Sequence, residues 1–222
     1  MFIVLYTLLV LQNLKQTTVD VALQMHYGGQ PLVLNAKSPL GADGDSVSVT
    51  ALRFYIGHIQ LLQDGEVTGS ADADYYLVDA AHPESLHMQL HYKKSFNAIA
   101  FTLGVDAEQN QKGAADGALD PIHGMYWTWQ SGYINAKIEG YSNVCATPDK
   151  SFQMHVGGFK EPYSSAQRIQ LNCNPATTIH LQMALESVLQ KLNTDDFHNI
   201  MSPGADAYAL SLILAQAFTI AN

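Results

Sequence analysis

The chain has 222 residues, a formal net charge of −9, and 11 Lys and Arg against 20 Asp and Glu. With no basic cluster to neutralise phosphates, nucleic acid is excluded as a partner, and the acidic balance favours cations instead. Only 14% of residues are charged and 47% are hydrophobic, so the chain is not disordered, and a domain this long buries its core without needing a metal or disulfide to fold.

Residues 2–11 are an unbroken run of apolar and small side chains, too short to cross a bilayer as a helix. The run has the length of a signal-peptide core or of a buried first strand; it lacks both a positive flank and a small-x-small cleavage site. With no evident partner for so uniform a run, we expect residues 1–19 to be a truncated or atypical export signal. Residues 20–222 are then one domain, periplasmic or extracellular, with no stable membrane span. From Asp20 the hydrophobic period is two: Val21, Leu23 and Met25 alternate with Ala22, Gln24 and His26 before the Gly28-Gly29 turn. Val47, Val49 and Ala51 lead into 52–56 and 59–62, and Asp64-Gly65 is a turn signal. Further short strands are predicted over 75–78, 96–103, 133–138, 152–156, 168–171 and 179–185. One short helix is expected over 187–193, and 206–218 reads as a terminal helix or a last strand. The pattern predicts an all-β fold: an antiparallel β-sandwich with one or two short helices near the C-terminus.

Both tryptophans, Trp127 and Trp129, fall in the run Met125-Tyr126-Trp127-Thr128-Trp129-Gln130-Ser131-Gly132-Tyr133. Counting back by twos from Ile134, Ala136 and Ile138 puts them and Tyr133 on the face away from the core. Either that face carries an aromatic patch, or Ser131-Gly132 is a bulge that returns the rings to the core. In 152–156 the apolar members are Phe152, Met154 and Val156, so His155 points to the same outer side, and the Gly157-Gly158 pair behind it permits close backbone approach. The nine histidines are otherwise scattered; His82, His87 and His91 surround a proline in an apparent loop. Imidazole with the seven methionine thioethers is a donor set that suits copper. Asp106, Asn110, Asp116 and Asp120 fit no calcium-loop spacing and read as a solvated loop over 104–121. Cys145 and Cys173 lack metal-site spacing, and in an oxidising compartment they are expected to pair as a disulfide.

These stretches, in this order, resemble the MbnP-like family of copper-binding proteins. The resemblance is carried by residues 52–59, Leu77-Val78-Asp79, Leu103-Gly104-Val105-Asp106, residues 117–121, the Trp127-Thr128-Trp129 run with Gly132-Tyr133, residues 155–159 and residues 200–204. It implies an exported, non-enzymatic β-sandwich for copper acquisition or homeostasis. It also implies a dihaem, peroxidase-like partner of the MbnH type that oxidises a tryptophan to kynurenine, here Trp127 or Trp129. Related copper proteins place a His two residues after the modified Trp; this chain has Trp129 and Ser131 at those places. The metal ligands are therefore expected elsewhere: His155 first, then His26, then His58. A second reading, without metal, is a carbohydrate-binding or surface-adhesion module that stacks sugars on Tyr126, Trp127, Trp129 and Tyr133.

Overall fold

The computed structural model describes residues 17–41, 44–128, 130–193 and 197–221. The expected export signal lies outside these, apart from Thr17–Val19, which open a strand.

In chain order the first half contains β1 (Thr17–Tyr27), the two-residue β2 (Gln30–Pro31) and β3 (Ser38–Pro39), the long β4 (Ser46–Gln63), β5 (Glu66–Ala71), β6 (Tyr75–Asp79), β7 (His87–Tyr92) and β8 (Ala98–Leu103). After α1 (Ala107–Lys112) come β9 (Tyr126–Thr128), β10 (Gly132–Ser142), β11 (Ser151–Gly157), β12 (Gln167–Asn172) and β13 (Thr178–Ala184). The chain ends with α2 (Glu186–Leu189), β14 (Asn199–Ile200), α3 (Ala205–Gln216) and β15 (Phe218–Ile220). The C-terminal stretch is thus both of the expected alternatives in succession, helix and then strand. The histidine-rich stretch expected as loop contains β7, paired with β1 and β5.

All-β holds in the main, but the expectation of purely antiparallel pairing does not. The described strands make one mixed sheet, in which β1 runs parallel to β13 and β11 parallel to β14. The cause is β4, 18 residues long. Its first half pairs with β10, its middle with β6, and its second half with β8 and β5. Register shifts opposite Glu139–Gly140 and between Gly57 and Gln60 let the strand bend, so the sheet curls instead of dividing.

Inside the curl lies the main core, where Phe218 meets Phe54 and Phe101 edge-on at centroid distances of 5.7 and 5.3 Å. Helix α3 closes it over β11 and β12 with Ala207, Leu210, Ser211 and Leu214, a stripe at helical spacing. A second, smaller cluster lies outside the curl: Tyr55, Val105, Leu119, Met125, Tyr133 and Ile134, with Tyr75, Tyr126 and Trp127 packed against it. Cys145 and Cys173 are both buried as free thiols, so the expected disulfide is not formed. Cys145 sits in the turn after β10, its N–H donating to Ser142, and Cys173 follows β12, its N–H donating to Asn97. Burial raises both thiol pKa values.

Candidate functional site

β9 and the start of β10 pair with each other as a hairpin and are not one continuous strand. Thr128 lies opposite Gly132 and Tyr126 opposite Tyr133, with the Ile134 N–H donating to the Met125 carbonyl at 2.9 Å. Gly132, at a φ of +76°, makes the reversal. Counting by twos across this turn fails, yet Trp127 is indeed off the main core, half-buried against the second cluster. Tyr133 is buried rather than exposed. The stacking platform of four surface rings is therefore not present among the described residues, and Trp129 lies outside them.

The paired glycines after His155 have the expected use. A Cβ on Gly157 would lie 2.6 Å from Cζ3 of Trp127 and 2.7 Å from the Tyr133 carbonyl, so only glycine admits the indole there. Gly158, at a φ of +115°, packs in the same way against Pro203. Buried amides lock this end of the sheet. Asn110 Oδ1 accepts from the Tyr133 N–H while its Nδ2 donates to the Val105 carbonyl; Asn135 Oδ1 accepts from the Val105 N–H while its Nδ2 donates to Ser165 Oγ, each at 2.9 Å. Sequence reasoning missed both amides; Asn110 is a buried anchor, not a ligand of a solvated loop.

His155 and Gly157 share the outer face of β11, two residues apart, which separates their Cα atoms by about 7 Å. The imidazole therefore stands one step along the strand from the glycine that carries the indole. Its side chain is only 7% exposed, and Nε2 lies 2.6 Å from Glu139 Oε1 on β10. Its Nδ1 is buried without a hydrogen-bond partner. Burial lowers the imidazole pKa; the Glu139 hydrogen bond pulls it back up without cancelling the effect. The ring is thus neutral near neutral pH. With Nε2–H donating to the carboxylate, a bare lone pair remains on Nδ1. Glu139 carried no sequence signal: it reads as an ordinary solvent-facing carboxylate until β11 is laid beside it. Lys137, directly across from His155, donates to the Gly124 carbonyl at 2.8 Å, and its pKa is lowered by burial.

The other two expected ligands stand elsewhere. His58 sits at the second register shift of β4 with a φ of +47°. Its Nε2 lies 2.7 Å from Asp106 Oδ2 and 3.0 Å from Tyr75 Oη, and Tyr75 also donates to Asp106. Burial pushes the Asp106 carboxyl up, but hydrogen bonds from Tyr75, the Gln109 amide and His58 outweigh it and hold it at about 2. His155 faces Lys137, which faces Arg53, and His58 is five residues beyond Arg53. Two strand spacings and that run along β4 separate the two rings by on the order of 15 Å or more. His26 lies near the end of β1, opposite Pro31 and Ala184. Among the described residues no three His, Cys, Asp or Glu side chains gather around one point.

A β-rich protein built on one curled mixed sheet, with a buried histidine and an indole seated on a glycine at one end, is the class these features define. The chain belongs to the MbnP family, which it matches over residues 16–202. Among solved structures it resembles MbnP from Methylosinus trichosporium with a TM-score of 0.57 and 16% identity, over 86% of this chain and 83% of that one. No curated protein matches it.

Proposed function

We propose that this protein is an exported, non-enzymatic copper carrier that holds the metal at the His155–Trp127 end of the sheet. One observation carries the reading: the unpartnered, buried Nδ1 of a neutral His155 whose other nitrogen is tied to a carboxylate. Metal-bound histidines typically donate their remaining N–H to such a carboxylate, which fixes the tautomer and leaves the opposite nitrogen as ligand. A buried imidazole without charge suits a soft ion, Cu(I), rather than a hard one. His155 is the anchoring ligand. His58 is already engaged with Asp106 and Tyr75, too far away to share the ion, and His26 stays the secondary candidate.

A single histidine holds copper weakly, and the indole beside it is a poor ligand. Oxidation of Trp127, or of the neighbouring Trp129, to kynurenine by a dihaem peroxidase-like partner supplies an amine and a carbonyl there. The protein's contribution is to seat the Trp127 indole on Gly157 and to keep the imidazole neutral. The test is Cu(I) titration under reducing conditions, with peptide mass spectrometry of protein made with and without its native oxidising partner. His155→Ala is expected to abolish tight binding, and Glu139→Gln to weaken it about 10- to 100-fold. Unchanged affinity in His155→Ala would remove the ligand assignment, and two unmodified tryptophans in native copper-loaded protein would remove the kynurenine step.

A further inference from the structure

The second cluster is a chain of redox-capable rings. Tyr126, next to Trp127 in sequence, meets Tyr133 at a centroid distance of 4.8 Å, and Tyr133 meets Tyr55 at 5.8 Å. Tyr55 lies on β4 opposite Leu77 of β6, and Tyr75 lies opposite Gly57, so Tyr55 and Tyr75 are diagonal neighbours in adjoining strands. Both belong to the same apolar cluster. Two ring contacts, a diagonal step between adjoining strands and one shared apolar cluster thus connect the hairpin to Tyr75.

What differs along the path is where a phenolic proton can go. A tyrosine gives up an electron readily only if its proton leaves at the same time, because the phenol radical cation is a very strong acid. Tyr55 Oη is buried with no hydrogen-bond partner, so it has nowhere to send a proton. Tyr133 Oη contacts only backbone, accepting from the Ala115 N–H and donating to the Gly113 carbonyl, and an amide carbonyl is a weak base. Tyr75 Oη donates to the Asp106 carboxylate, which is also in contact with His58 and is ionised at neutral pH.

We infer that Tyr75 is a redox-active tyrosine, the place where an oxidising equivalent delivered at the Trp127 hairpin comes to rest. The step balances within the chain. A strong one-electron oxidant, such as a high-valent haem or a photo-oxidant, takes one electron from the indole. The indole radical cation is refilled by one electron arriving from Tyr75 through Tyr55, Tyr133 and Tyr126. The Tyr75 O–H bond breaks, its proton passes to Asp106 Oδ2, and the products are a neutral tyrosyl radical, a protonated Asp106 and a closed-shell Trp127. In function, this path competes with further oxidation of the indole. The inference rests on the reading of the hairpin as the point of oxidation.

The test needs neither copper nor the oxidising partner. Gln130→Cys puts a thiol on the exposed hairpin tip. The two native thiols are buried, so a ruthenium polypyridyl photo-oxidant attaches only there in the folded protein. After flash oxidation with a sacrificial electron acceptor, the indole radical absorption is expected to decay into that of a tyrosyl radical. Tyr75→Phe should cut the tyrosyl yield severalfold and lengthen the life of the indole radical. Asp106→Asn, which keeps an oxygen but loses the base, should slow the transfer and change its dependence on deuterated solvent. Tyr76→Phe, packed against the other core, should behave as the parent. An undiminished tyrosyl yield in Tyr75→Phe overturns the assignment. That result would leave copper binding at His155 untouched, and loss of the copper reading would leave this measurement valid.

Discussion

Gly157→Ala isolates the contact on which the site rests. The new methyl would lie 2.6 Å from the Trp127 ring and 2.7 Å from the Tyr133 carbonyl, both closer than carbon atoms tolerate. The carbonyl belongs to the sheet, so the indole must move. Overpacking of this kind costs about 1–3 kcal/mol. Replacing a strand glycine also removes freedom from the unfolded chain, worth about 0.4–1 kcal/mol in the opposite direction. The steric effect wins, leaving a net loss of roughly 1–2 kcal/mol, or a Tm lower by about 2–8 °C for a chain of this size. Thermal unfolding followed by indole emission measures both the loss and the displaced ring. A double-mutant cycle with Trp127→Leu then assigns the cause, because shortening the side chain relieves much of the clash, and a coupling of about 0.5–3 kcal/mol is expected. Strict additivity, with Trp emission unchanged in Gly157→Ala, would refute the placement of the indole on Gly157.

Phe218→Ala removes the ring shared by Phe54 and Phe101 and is expected to cost about 3–5 kcal/mol in denaturant unfolding; a loss under 1 kcal/mol would mean that β15 is not seated in the core. Thiol titration should find Cys145 and Cys173 unreactive in the native protein and both reactive after unfolding without reductant, whereas no reactive thiol in the unfolded state would restore the disulfide. Asp106, held at about 2 against an ordinary 3.8, contributes stability that is complete above the ordinary value and is lost as pH falls towards 2; Asp106→Asn should flatten the acid limb of a stability-against-pH curve, and an unchanged limb would count against the His58–Asp106–Tyr75 arrangement.

Strand parity was the most legible signal in the sequence. It places Val21, Leu23 and Met25 in the core, and Phe152, Met154 and Val156 opposite His155, as the structure has them. It could not show that His155 is buried, because parity gives the side of the sheet and not what lies over it. Parity breaks wherever the chain turns or bulges. The hairpin between Thr128 and Gly132 interrupts the count, and the register shift between Ile134 and Ala136 sends Ile134 to the outer cluster while Ala136 stays inside. The acidic loop hid α1, although Asp106 caps it through Gln109 and Gly113 follows its last turn, both readable helix-end signals. Pairing between distant strands, including the two parallel pairs that depart from the expected antiparallel pattern, leaves no local trace in either partner. The Glu139–His155 contact was illegible for the same reason: it exists only once β10 and β11 are in register.

The parallel pairing of β1 with β13 sets an order of events during synthesis. Asp20 faces Thr178 and Met25 faces Met183, so a strand made early takes as its neighbour one made much later. Its other neighbour, β7, becomes available much earlier. Throughout translation β1 therefore has one edge with no ladder to join, and β4, shared by both halves of the curl, leaves neither half a complete interior of its own. Contacts this far apart in sequence make folding slow. Whatever keeps that edge from aggregating must therefore act until β13 is available to pair with it.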